Sequence, residues 1–182
     1  MITIPPYDTK SVRDWVAFQR QFDTFWQTAN NGAEQISLRT TGIAEGATYY
    51  YGFTVPVGRA FVLYSRELTL SEGVYHVDVV SAAGGYTGGT AALRTRLRAG
   101  AEATVQTTVH GGVTPSGAIT EVTNGFQDNG VGQGSGIEAG GTDDDRIIKI
   151  FPAGSSLLRV TQTAGSGTWT ANLRLICWEL DA

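Results

Sequence analysis

The stretch Val74-Tyr-His-Val-Asp-Val-Val-Ser-Ala82 sets the pattern for most of the chain. Tyr75, Val77 and Val79 alternate with residues of mixed character, which is the period of two that a half-buried β-strand shows. The same alternation returns in other segments, and turn-forming glycine pairs separate many of them. The pattern predicts an all-β fold with antiparallel sheets rather than a parallel α/β sheet.

The predicted strands lead to a β-sandwich with jelly-roll-like topology, and the length of Arg59–Leu70 leaves room for a β-bulge. The segments that carry the alternation are Gln35–Thr41, Ala47–Val55, Arg59–Leu70, Val74–Ala82, Leu93–Arg98, Ala103–His110, Ala118–Val122, Arg146–Phe151, Ser156–Gln162 and Trp169–Leu180.

Residues 1–32 are predicted to be an N-terminal α-helical arm, ahead of a β-sandwich domain over residues 33–182. The arm carries an aromatic stripe at helical spacing, and Asn and Gly at positions 30–32 favour a helix end. The stripe either packs on the core of its own domain or docks on a partner. Its residues are Trp15, Phe18, Phe22 and Phe25, with Trp26 beside them.

Residues 124–145 are predicted to be one long Gly-rich loop, which takes up much of the glycine excess of a chain with 24 glycines. Loops longer than about 12–15 residues are usually functional or disordered, and this one could also become ordered against a neighbouring subunit. Asp143, Asp144 and Asp145 could offer oxygen ligands to calcium. A solvated turn, or salt bridges to arginines of a neighbour, is favoured over a metal site.

Arg94, Arg96 and Arg98 alternate with Leu93, Thr95 and Leu97, so a strand places the three arginines on one face. Like charges stacked in this way are unfavourable unless water or acidic groups meet them. A solvated sheet face is one interpretation. Contact with an acidic surface, including Asp143–Asp145 of a second subunit, is the other.

No catalytic or cofactor site is predicted. The chain has two histidines, His76 and His110, and one cysteine, Cys177, and no spacing couples a base to a nucleophile or closes a zinc site. Cys177 lies in an apolar alternating stretch and is expected to be a buried small hydrophobe. The glycines of residues 130–136 neither follow a clear strand nor open a helix, so they do not predict a dinucleotide site.

Composition and charge limit the classes of partner that are expected. Charged residues make up 16% of the chain, against about 25% in an average protein, and the net charge is −4. An acidic chain lacks the positive field of a general nucleic-acid binder. No apolar run of about 18 residues predicts a membrane span. Neither nucleic acid nor membrane is therefore expected as a partner.

Three stretches, Ile43–Arg66, Ser71–Val80 and Ile148–Gly154, resemble small structural proteins of tailed bacteriophages, of the kind encoded close to the major capsid protein. The resemblance implies a non-enzymatic β-sandwich protein of the virion, a capsid decoration (cement) protein. It also implies the major capsid protein and further copies of the chain as partners, with a homotrimer favoured over a dimer. The chain would be made in the host bacterial cytoplasm and would lie on the capsid exterior.

Two other functions stay open. A fibre or receptor-binding module of the virion would recognise a host surface glycan through or near residues 124–145. A fragment of a polysaccharide depolymerase would be an enzyme, although the small size of the chain speaks against it.

Overall fold

The computed structural model describes residues 33–71, 73–96, 105–122, 127–132 and 149–181. This part of the chain is all-β, as the alternation predicts, and contains no helix. Its strands are β1 (Glu34–Ile43), β2 (Thr48–Val55), β3 (Arg59–Leu70), β4 (Gly73–Ala82), β5 (Tyr86–Thr87), β6 (Thr90–Ala91), β7 (Leu93–Arg96), β8 (Thr108–Gly111), β9 (Thr114–Pro115), β10 (Ile119–Glu121), β11 (Gln127–Gly132), β12 (Lys149–Phe151), β13 (Gly154–Ala164) and β14 (Trp169–Asp181).

Two antiparallel sheets hold most of these strands. Sheet I has the order β12-β3-β14-β1-β7. Sheet II has the order β10-β4-β13-β2-β8-β6, and β11 also pairs with β4. Strands β5 and β9 pair separately. Successive long strands lie in opposite sheets, because β1 and β3 belong to sheet I and β2 and β4 belong to sheet II.

The two sheets share one hydrophobic core. Alternate residues of β14, from Trp169 to Cys177, are buried, and they meet buried residues of β2, β4 and β13. The Trp169 ring lies 6.3 Å from the ring of Tyr49 and 5.1 Å from that of Tyr75. Burying one large apolar side chain contributes about 1.5–3 kcal/mol, so these aromatic contacts between sheets are a main source of stability in a sandwich-like arrangement.

Strand β3 contains the bulge for which its length leaves room. Ser65 pairs with Ile176 and Leu63 pairs with Cys177, so β3 has one more residue than β14 at this point. The extra residue changes which positions face the core. Phe61 and Leu63 are buried before the bulge, and Leu68 and Leu70 are buried after it.

Two strand predictions need correction. Residues 127–132, predicted as part of a loop, form β11 along β4. The edge of β4 forms hydrogen bonds with the main chain of β11, and such bonds do not require side chains, so glycines can take part. The local sequence does not reveal that this edge lies beside it. The segment predicted as one strand over Ala103–His110 is strand only from Thr108 in the described part, because side chains bond the main chain of residues 105–107.

Several predicted features lie outside the described residues. They include the helical arm over residues 1–32, Arg98, and Asp143–Asp145 with most of the predicted loop. Within the described part, no helix is long and apolar enough to cross a membrane.

Candidate functional site

The space between the sheets is filled with side chains. Tyr51, Tyr75 and Trp169 are almost completely buried there. A small apolar cavity of about 20 Å³ lies beside Phe53, Phe61 and Phe151, which is room for roughly one water molecule. This cavity is too small for a substrate or cofactor.

The two histidines and the cysteine, none of which is predicted to be catalytic, lie on three different strands. Cys177 is fully buried, as expected, and its Sγ lies 3.6 Å from the Glu34 carbonyl oxygen. His76 and His110 lie on β4 and β8 of sheet II, at positions that alternate with core residues. Among the residues that the structure describes, no three His, Cys, Asp or Glu side chains are grouped to hold a metal ion.

The outer face of sheet II carries a buried ion pair. Asp78 of β4 is 0% exposed and lies directly opposite Arg159 of β13. Arg159 donates from Nε to Asp78 Oδ1 at 2.8 Å and from Nη2 to Oδ2 at 2.5 Å. This two-point geometry is the strong form of an arginine–carboxylate contact, and it raises the pKa of Arg159. Glu121 of β10 lies 3.7 Å from Arg159, so three strands meet at the pair.

Sequence reasoning placed Asp78 on a strand face but missed its burial and its partner. The sequence feature that could have indicated this burial is a single carboxylate between the valines at positions 77 and 79. A lone arginine between Leu158 and Val160 gave the matching signal on another strand. Only the strand order brings β4 next to β13.

A small apolar cluster lies beside the ion pair on the same outer face. Val80, Val113 and Leu157 are buried there, and Tyr86 packs against them. The Tyr86 ring lies so close to Gly52 that an added Cβ would be 2.6 Å from it. The hydroxyl groups of Tyr86 and Thr54 are 2.8 Å apart. Tyr86 of β5 thus covers part of the outer face of sheet II.

Arg94 and Arg96 lie on β7, at the edge of sheet I, opposite Ile36 and Glu34 of β1. The Arg94 guanidinium donates to the main-chain carbonyls of Val105 and Thr107. It also lies 3.6 Å from the buried carboxylate of Glu34. Arg94 therefore has partners within its own chain, while its side chain remains about one-third exposed at 32%.

Exposed apolar side chains mark other parts of the surface. Leu93, at the start of the edge strand β7, is 75% exposed. Val57, in the turn between β2 and β3, is 96% exposed, and Ile150 on the edge strand β12 is 50% exposed. Two of these three residues lie on edge strands, whose outer main-chain groups can pair with another chain.

Of the residues predicted to contact partners, the structure describes Arg94 and Arg96 and places them together on β7. The aromatic stripe, Arg98 and the three aspartates lie outside the described residues. Comparison with known proteins found no matching family model, no matching curated protein and no matching solved structure.

Proposed function

We propose that this chain is a non-enzymatic structural protein of a tailed-bacteriophage virion, which binds the exterior of the capsid shell as a decoration protein. The observation that carries the proposal is the strand order, which supports a jelly roll. Strands β1-β14-β3-β12 lie side by side in sheet I, and β2-β13-β4-β11 provide the matching set in sheet II. Many viral capsid proteins and lectins have this topology.

The filled interior supports a function carried by the surface. A jelly roll that bound a small molecule between its sheets would need space there, whereas Tyr51, Tyr75 and Trp169 occupy it. A shell-binding protein needs contact area instead. The edge strand β7, with exposed Leu93 and Arg96, offers such area.

The proposed mechanism combines several weak contacts. The N-terminal segment, with its aromatic stripe, docks in a groove formed by the major capsid protein. Sandwich domains of neighbouring copies pack around a symmetry axis, in a trimer. Simultaneous engagement of several modest interfaces raises the overall affinity without any new contact, and the shell is held against internal pressure.

The test is binding of the purified full-length chain to shells of the phage whose genome encodes it, followed by cryo-electron microscopy of the particles. We expect saturable binding and density on the shell exterior. The variant carrying Phe18→Ser and Phe22→Ser should lose binding while its β-sheet circular dichroism is kept. The matched control, Gln19→Ser with Gln21→Ser, should bind like the unchanged chain.

Two outcomes would contradict the proposal. If the Phe18→Ser and Phe22→Ser variant unfolds, the stripe belongs to the core of its own domain and the docking step fails. If the full-length chain ignores shells but binds defined carbohydrates on a glycan array, the chain is a receptor-binding module instead.

A further inference from the structure

Residues 105–107, named here the strap, directly precede β8, and two of the three are buried without being part of a strand. From Thr108 onward the chain pairs with β2 in sheet II. The strap itself pairs with no strand in the described part of the chain. Its side chains at Val105 and Thr107 are nevertheless buried, at 2% and 0% exposure.

Two side chains from sheet I bind the main chain of the strap. Arg94 of β7 donates to the carbonyl oxygens of Val105 and Thr107. Glu179 of β14 accepts from the N–H of Gln106 at 2.8 Å and from the N–H of Thr107 at 2.5 Å. Glu179 also accepts from the Thr107 hydroxyl. Side chains thus take the place that strand pairing fills elsewhere in this fold.

The strap belongs to the part of the core that contains Cys177. Cys177 and Glu179 lie two positions apart on β14, so their side chains leave the same face of the strand. Glu34 lies opposite Cys177 on β1, and its carboxylate is 3.6 Å from Arg94. Burial raises the pKa of the Cys177 thiol, the charges of Glu34 and Glu179 raise it further, and Arg94 lowers it. Cys177 therefore lies within electrostatic reach of both residues that hold the strap.

We propose that the strap is a local opening unit, which leaves and rejoins the core as one piece while both sheets stay intact, and that Arg94 and Glu179 set how often it opens. Native proteins open locally in contiguous cooperative units, each with its own free energy of opening. Here two side chains hold four main-chain groups, so the loss of one side chain releases several bonds together. This inference is independent of the proposed virion function.

Cys177 provides a built-in reporter, because it is the one cysteine of the chain. The experiment follows the rate of alkylation of the full-length protein by iodoacetamide. We expect Arg94→Met to accelerate the reaction by about tenfold or more, since two buried carbonyls lose charged donors. Thr107→Val, which removes one hydroxyl contact, should give a smaller acceleration and serves if Arg94→Met fails to fold. Arg174→Met, whose pair with Glu67 is half-exposed on the same sheet, should leave the rate unchanged.

The urea dependence of the rate separates local opening from global unfolding. Opening of the strap exposes little surface, so the alkylation rate should respond weakly to low concentrations of urea. If the alkylation rate falls and rises with global unfolding in its urea dependence, in the unchanged chain or in Arg94→Met, the strap is not an opening unit.

Discussion

The chain uses arginine and carboxylate side chains in two different ways. At Asp78 and Arg159, the two charges pair with each other across neighbouring strands whose main chains are already bonded in a ladder. At the strap, Arg94 and Glu179 bind main-chain groups instead of each other. Similar chemistry therefore serves as a cross-link in one place and as a replacement for strand pairing in the other.

The difference determines what a deletion leaves behind. Without Arg159, the fully buried carboxylate of Asp78 loses the partner that offsets its removal from water. Without Arg94, two neutral carbonyls lose their donors, and the buried carboxylate of Glu34 loses a guanidinium 3.6 Å away. Arg159 meets Asp78 in a two-point hydrogen-bonded pair, whereas Arg94 approaches Glu34 only to 3.6 Å. Direct charge-assisted hydrogen bonds are the stronger contacts, so the loss of Arg159 should cost more stability than the loss of Arg94.

The largest effect is expected for Arg159→Met. It should lower the free energy of unfolding by about 3–5 kcal/mol, as breaking a buried ion pair does. Urea denaturation at neutral pH measures this. The double variant with Asp78→Leu should recover most of the loss, since no charge then remains buried. Arg174→Met breaks the exposed pair with Glu67, which is expected to contribute less than about 1 kcal/mol. If Arg159→Met loses no more stability than Arg174→Met, the buried pair is not a stabilising cross-link.

A smaller effect is expected for Arg94→Met, with a loss of about 2 kcal/mol in the free energy of unfolding. The same denaturation experiment measures it. Arg94→Met should not change the contribution of the Asp78–Arg159 pair to stability, because losses in the free energy of unfolding add up when two sites are independent. The combined Arg94→Met and Arg159→Met variant should therefore lose the sum of the two single losses. Strong non-additivity would show that the sites are coupled.

The smallest effect concerns alkaline pH at the strap end of the core. The pKa of Cys177 is raised on folding, so the folded chain keeps a proton that the unfolded chain releases above the ordinary thiol pKa of 9.0. Stability from this group is complete below that pH and falls as the pH rises, by up to about 1.4 kcal/mol per unit. Cys177→Ala should flatten the decline between pH 9 and pH 10 in urea midpoints. An unchanged slope would assign the decline to other groups, such as Tyr51, whose pKa is also raised by burial.

Much of the fold could be predicted from the sequence because it depends on local alternation. The strand Arg59–Leu70 has the predicted bounds. Tyr75, Val77 and Val79 share one face of their strand, as predicted, and the structure buries that face in the core. Each of these depends on the period of two and on turn residues, which neighbouring positions reveal.

The missed features depend on residues distant in the sequence. Asp78 and Arg159 meet only because β13 returns between β2 and β4. The strap is not the strand predicted there, because its main chain is bonded by Glu179, which lies 72 positions further along the chain than Thr107. Strand β11 forms in a Gly-rich stretch because the edge of β4 lies beside it. No local pattern contains these facts.

The strand order also determines when each sheet can form during synthesis of the chain. β14 lies between β1 and β3, and β13 lies between β2 and β4, so both central strands are the last to be made. Until residues 154–181 leave the ribosome, the four long N-terminal strands lack their common neighbours. The nascent chain then presents unpaired edges, which are sites of aggregation. Completion of the fold therefore waits until β14 has been made, and pairing over such long sequence separations is slow.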